Sequence, residues 1–186
     1  MCWVYPLYLI RFVWRQSGFA FFGAYGFGCT HFFILGIFMI ITFCGHSNYK
    51  GSADDEEKIL SFLSEKIGNA HAALYLGGYG NFDSFAAACG KKYHANHPNT
   101  KLIYVTPYVT VNTQTDLYDS IIYPGLENVP PRFAISRRNK WMVDKADFVI
   151  AYIRHSWGGA FQSYTYARRA KKQIFNLCDI ETQKNA

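Results

Sequence analysis

Acidic residues are missing from the first 53 positions of this chain; the first is Asp54. No CxxC pair occurs among its five cysteines, and no glycine turn continues into the Lys-Ser/Thr of a P-loop. After residue 39 there is no internal repeat or low-complexity stretch. The scattered cysteines exclude a disulfide scaffold and a paired-cysteine zinc site, and fit free thiols in a reducing cytosol. The missing Lys-Ser/Thr excludes the phosphate loop of P-loop NTPases. His94 and His97 stand three apart before Pro98 without a further ligand set, which reads as a helix end and not a metal site. No metal and no cofactor is expected.

What is present divides unevenly. Residues 1–38 hold 13 aromatics and only two charges, Arg11 and Arg15. Between Gly18 and Phe38 only Thr30 and His31 interrupt an apolar run long enough to cross a bilayer, and the two arginines precede it as in an inside-anchored helix. Against an anchor, the run is rich in Phe, Gly, Trp and Tyr and joins the strand at Ile40 without a linker. No small-x-small cleavage site marks a signal peptide. The expectation is an aromatic-rich extension, residues 1–38, outside the fold, and a domain spanning 39–186. The cytoplasm is the expected location, with membrane anchoring through the extension as the alternative.

From Met39 onward the balance is 17 basic against 13 acidic residues, or +4, and it is polarised. Residues 39–131 carry 6 basic and 9 acidic residues, and 132–186 carry 11 and 4, so the second half suits an anionic partner. The run Arg168-Arg169-Ala170-Lys171-Lys172 reads as a solvated helix face. Nucleic acid is the less favoured partner, because no helix-turn-helix, zinc-finger or RNA-recognition signature occurs. A homo-oligomer stays open.

Five apolar strands are expected: Ile40–Cys44, Ala72–Leu76, Leu102–Thr106, Asp147–Ile153 and Ile174–Leu177. Between them, Ser52-Ala53-Asp54-Asp55 approximates a capping box ahead of Ile59, Leu60, Phe62, Leu63 and Ile67 at helical spacing. Gly68-Asn69 closes that helix. Further helices are expected at Phe82–His97, Phe133–Lys145 and Gly159–Lys172, with a short one at Asp116–Tyr123 inside an irregular stretch, residues 108–131. Apolar strands alternating with helices predict an α/β fold, a parallel sheet of about five strands with helices on both faces. Ligands in such sheets bind beyond the carboxyl ends of the strands.

The candidate chemistry sits at those ends. Gly77-Gly78-Tyr79-Gly80 follows the second strand, and Gly158-Gly159 follows the fourth. Glycines opening into a helix let backbone N–H groups approach an anion, and the helix N-terminus favours negative charge. The first turn lacks the full G-x-G-x-x-G spacing, and a tight turn needing positive φ explains it equally well. Asp83 suits either a helix cap or a ribose hydroxyl. Arg137, Arg138 and Asn139 are consecutive on a helix and cannot share a direction, so one arginine faces the site and the other solvent. An arginine fork binds phosphate bidentately, and Asn139 can position a base or sugar. His155-Ser156-Trp157 adds donors and a stacking ring, and Gln162, Ser163 and Thr165 lie in the next helix.

These segments resemble, in order, proteins of the SLOG (SMF/DprA–LOG) superfamily of bacteria and phage. Thr42-Phe43-Cys44-Gly45-His46-Ser47 resembles a T-G-H-R type turn. Leu76-Gly77-Gly78-Tyr79-Gly80-Asn81-Phe82-Asp83 resembles G-G-x-x-G-x-D, and Val105-Thr106-Pro107-Tyr108 a P-Y strand ending. Arg138-Asn139-Lys140-Trp141-Met142-Val143-Asp144, Ala151-Tyr152 and Trp157-Gly158-Gly159 resemble R-N-x-x-M-V-D … A-Y … G-G-T. The resemblance spans about residues 40–177 and implies a modified Rossmann fold and a phosphate-bearing, nucleotide-derived ligand. It implies ligand contacts at Gly45, His46, Gly77, Gly78, Gly80, Asp83, Arg138, Asn139, Ser156, Gly158, Gly159 and Gln162. The superfamily includes the Lonely Guy phosphoribohydrolases, whose R-K-x-x-M arginine matches Arg138. Their G-G-x-G-T-x-x-E motif meets Phe161, Gln162 and Thr165 at its third glycine, threonine and acid. Threonine cannot replace the acid in proton transfer. The resemblance therefore implies a ligand-binding sensor or accessory domain. The alternatives are a nucleotide hydrolase using Arg138 and Asp83, and a nucleic-acid-binding accessory protein.

Overall fold

Strand β1, Met39–Gly45, is buried along its length because both faces of the sheet are covered. The computed structural model describes residues 38–110 and 115–178. The extension through residue 37, with Cys2, Cys29 and His31, lies outside the described residues, as do 111–114 and everything from 179. After β1 come α1 Ala53–Ile67, β2 Ala72–Leu76, α2 Asn81–Asn96, β3 Thr100–Val105, β4 Ser120–Ile122, α3 Pro131–Lys145, β5 Phe148–Tyr152, α4 Gly158–Arg169 and β6 Gln173–Asn176. Among the described residues no helix is long and apolar enough to cross a membrane.

The six strands run parallel in the order β4-β3-β2-β1-β5-β6. Alternation along β1 divides the core. Ile41 and Phe43 join Ile59 and Leu63 of α1 and Ala86 and Ala87 of α2 on one face. Ile40 packs with Met142 of α3, and Cys44 with Val143 of α3 and Ala167 of α4, on the other. The small residues of α2 bring it close to the sheet: a Cβ at Gly90 would lie 3.0 Å from Leu74. Asp147 fixes the β1–β5 register from both sides. Its carboxylate accepts the Ile40 N–H at 2.8 Å, and its own N–H donates to Ile40 O at 2.7 Å.

Two expectations need correction. The short helix expected at Asp116–Tyr123 is instead a turn and a sixth strand, β4. Ile121 and Ile122 pair with Tyr104 and Val105, and Asp119 trades hydrogen bonds with the backbone of Leu102. An open edge on β3 offers three ladder residues more partners than one isolated helical turn can. The capping box also does not close. Ser52 is the N-cap of α1 but makes no side-chain cap, and the Asp55 carboxylate, the other half of the box, accepts the buried Tyr49 hydroxyl at 2.9 Å.

Candidate ligand-binding site

Winding proceeds from β1 outward through β2, β3 and β4 on one side, and returns to β5 and β6 on the other. The crossovers diverge between β1 and β5, so the carboxyl ends of those strands are left uncovered. A cleft of about 440 Å³ opens there. It is lined by Phe43 through Asn48 at the end of β1 and just beyond it, by Tyr79 and Asp83, by the α3 face Ile135-Arg138-Asn139-Met142, and by His155 and Trp157 through Ala160, with Ser163.

Arg138 is the largest fully buried side chain, 1 % exposed, whereas Arg137 is exposed. Its Nη1 donates to Gly77 O at 2.6 Å and Val105 O at 2.7 Å, tying together the ends of β2 and β3. Its Nε is buried without a partner. Burial pulls its pKa down, and the nearby Asp83 charge opposes that pull. Asp83, 9 % exposed, accepts the Tyr79 N–H at 2.9 Å and so closes the first glycine turn from within. It does not cap α2, whose N-cap is Gly80. Burial pushes the Asp83 carboxyl up to about 6, against the opposing effects of the Tyr79 hydrogen bond and the Arg138 charge. Among the described residues, no other that lines the cleft is acidic.

The two glycine turns differ in kind. A Cβ at Gly77 would sit 2.7 Å from Arg138 Nη1 and 2.9 Å from Asp83 Oδ2. At Gly159 a Cβ would meet nothing within 4 Å, and φ there is not positive, so neither packing nor backbone demands glycine. Helix α4 starts at Gly158 with no side-chain cap and no acid in its first turn. Its leading N–H groups therefore keep their partial positive charge.

Aromatic rings build one wall. His46 and His155 stack at 3.5 Å between centroids, and Trp157 continues the stack on His155 at 3.8 Å. The His155 N–H donates to His46 Nε2 at 3.4 Å, which leaves the His46 proton on Nδ1. Burial, and after it the His155 charge, hold His46 below the ordinary histidine value, against the opposing effect of the His155 backbone. Trp157 is 62 % exposed and Tyr79 68 %, so both rings present open faces at the cleft. Burial pushes the Cys44 thiol up to about 12, leaving it unreactive.

Of the residues expected at the site, Gly45, His46, Asp83, Arg138, Asn139, Gly158 and Gly159 line the cleft. Gly77, Gly78, Gly80 and Ser156 do not, and Gln162 lines a smaller neighbouring pocket. Ile135 and Met142 went unselected although they flank Arg138 at helical spacing. Ser163 was also missed as a contact. Buried, it accepts from Asn139 Nδ2 at 3.3 Å and donates to Gly159 O at 3.0 Å, coupling α3 to the start of α4. Thr165 lies outside the cleft lining.

This strand order and switch-point cleft are those of a Rossmann-like fold. DNA processing protein A from Streptococcus pneumoniae matches with a TM-score of 0.55 and 14% identity, over 78% of this chain and 52% of that one. The Helicobacter pylori protein of the same name, described with a single-stranded DNA binding mode, matches with a TM-score of 0.54 and 16% identity, over 77% and 67%. The protein TM1055 matches with a TM-score of 0.50 and 12% identity, over 73% and 72%. The chain thus spans about half the length of the Streptococcus pneumoniae protein. At these identities the likeness is one of fold. No protein-family model and no curated protein matches the chain.

Proposed function

We infer that this domain binds a nucleotide or nucleotide-derived ligand in the β1–β5 cleft, in a sensor or accessory role. A phosphate sits against the N-terminus of α4 and a planar base lies against the Trp157 end of the ring stack. The observation that carries the reading is Gly159, a glycine that nothing among the described residues requires, at an uncapped helix start facing the cleft. A buried, incompletely partnered Arg138, also lining the cleft, supplies fixed positive charge. The test is calorimetric titration with AMP before and after Gly159→Asp. A carboxylate there suits the helix dipole, so the variant keeps its melting temperature, yet it repels phosphate and abolishes binding. Equal AMP affinity in both proteins moves the phosphate elsewhere.

A second reading is a hydrolase of nucleotide N-glycosidic bonds. The observation favouring it is Asp83, a cleft carboxyl with a pKa near 6, in the range of a general acid–base group. Its Oδ2 is committed to the Tyr79 N–H, and Thr165 stands where the Lonely Guy acid falls. Binding without turnover is the preferred reading. Base release from AMP that disappears in Asp83→Asn reverses the preference.

A further inference from the structure

Beside the cleft, a second pocket of about 200 Å³ lies between α3 and α4. Its walls are Arg132, Ser136, Asn139 and Lys140 on one helical face of α3, and Gly159, Gln162 and Ser163 on α4. Positions 132, 136 and 139/140 recur at helical spacing, so they form one stripe. The adjacent stripe, Ile135-Arg138-Asn139-Met142, faces the main cleft. The two pockets share Ile135, Asn139, Gly159 and Ser163 and therefore adjoin at the start of α4. Arg132 and Lys140 bring two positive charges, and among the described residues no acid lines this pocket. Among the described residues neither cation is paired with a carboxylate. The Arg132 guanidinium lies 4.7 Å from the Phe133 ring and Lys140 Nζ 5.6 Å from the Tyr166 ring, contacts that position the charges without neutralising them.

We propose that this pocket is a second anion subsite, so that the ligand is a nucleoside diphosphate or a pyrophosphate ester of one, and not a monophosphate. The proposal rests on the nucleotide reading of the main cleft. The order along the groove is ring stack, α4 N-terminus, then basic pocket, which matches base, first phosphate and second phosphate. Ser136 and Gln162 add neutral donors around the second group. Exposed lysine and arginine also make this subsite sensitive to ionic strength.

The experiment compares AMP, ADP and ADP-ribose on the full chain by calorimetry, at low salt and at about 0.15 M salt, with wild type and the Arg132→Ala/Lys140→Ala double variant. The expected result is ADP and ADP-ribose binding wild type about tenfold more tightly than AMP, the ratio falling to within about twofold in the double variant. AMP binding with ADP no tighter, or an unchanged ratio in the double variant, overturns the second subsite alone. Failure of all three nucleotides to bind wild type overturns the nucleotide reading together with it.

Discussion

Asp83→Asn is predicted to stabilise this protein at neutral pH. Folding buries the Asp83 carboxyl and raises its pKa from 3.8 to about 6, burial outweighing the Tyr79 hydrogen bond and the Arg138 charge. The neutral acid is thus the form that the folded state prefers. Its contribution is fully present below about pH 4 and lost as pH climbs through about 6, because the unfolded chain ionises first. The gap between 3.8 and about 6 corresponds to roughly 3 kcal/mol at pH 7, about half of it already lost by pH 5. Asparagine is uncharged, and its side-chain oxygen can still accept the Tyr79 N–H. The variant should therefore gain up to roughly 3 kcal/mol above pH 7 and match wild type near pH 4. Urea unfolding of both proteins at several pH values between 4 and 8 measures this as a difference curve, in which the other carboxylates cancel. A flat difference, or a variant less stable than wild type at pH 7.5, refutes the reasoning and makes the ionised Asp83–Arg138 interaction the dominant effect.

Four further outcomes are expected. Arg138→Ala should cost about 3 kcal/mol or more in urea unfolding, since two charge-assisted bonds to the buried Gly77 and Val105 carbonyls disappear. A loss of ligand affinity in that variant counts only where the fold survives. Gly77→Ala should lose about 1–3 kcal/mol because its Cβ collides with Arg138 and Asp83, whereas Gly159→Ala should stay within about 0.5 kcal/mol and still weaken AMP binding. Nucleotide binding near pH 6 should take up more protons in wild type than in Asp83→Asn, because an anion in the cleft raises the Asp83 pKa further while the nucleotide phosphate titrates alike in both; titrations in buffers of differing ionisation enthalpy read the difference. Chromatography of AMP incubated with the protein should show no free adenine above the buffer control.

Much of this architecture is legible in local sequence. Apolar runs bounded by glycine or polar turns locate five strands to within a residue or two, because a strand buried on both faces needs no long-range information to declare itself. The Gly68 helix stop and the departures at Phe161, Gln162 and Thr165 can be read directly from the sequence. The opposite directions of Arg137 and Arg138 follow from helical geometry alone. What tertiary structure decided is everything that depends on which strands are neighbours. The β1–β5 pairing is clamped by Asp147 and Ile40, 107 residues apart, and it creates the cleft. β4 exists because β3 had an open edge, not because Ser120–Ile122 declares a strand. Two glycine turns that look alike in sequence part company in the fold. Gly77 is held by the crowding of Arg138 and Asp83, which arrive from distant or neighbouring helices, while Gly159 faces open space. Sequence names the residue types that can approach a phosphate, but only packing determines which of them are already engaged by the protein itself.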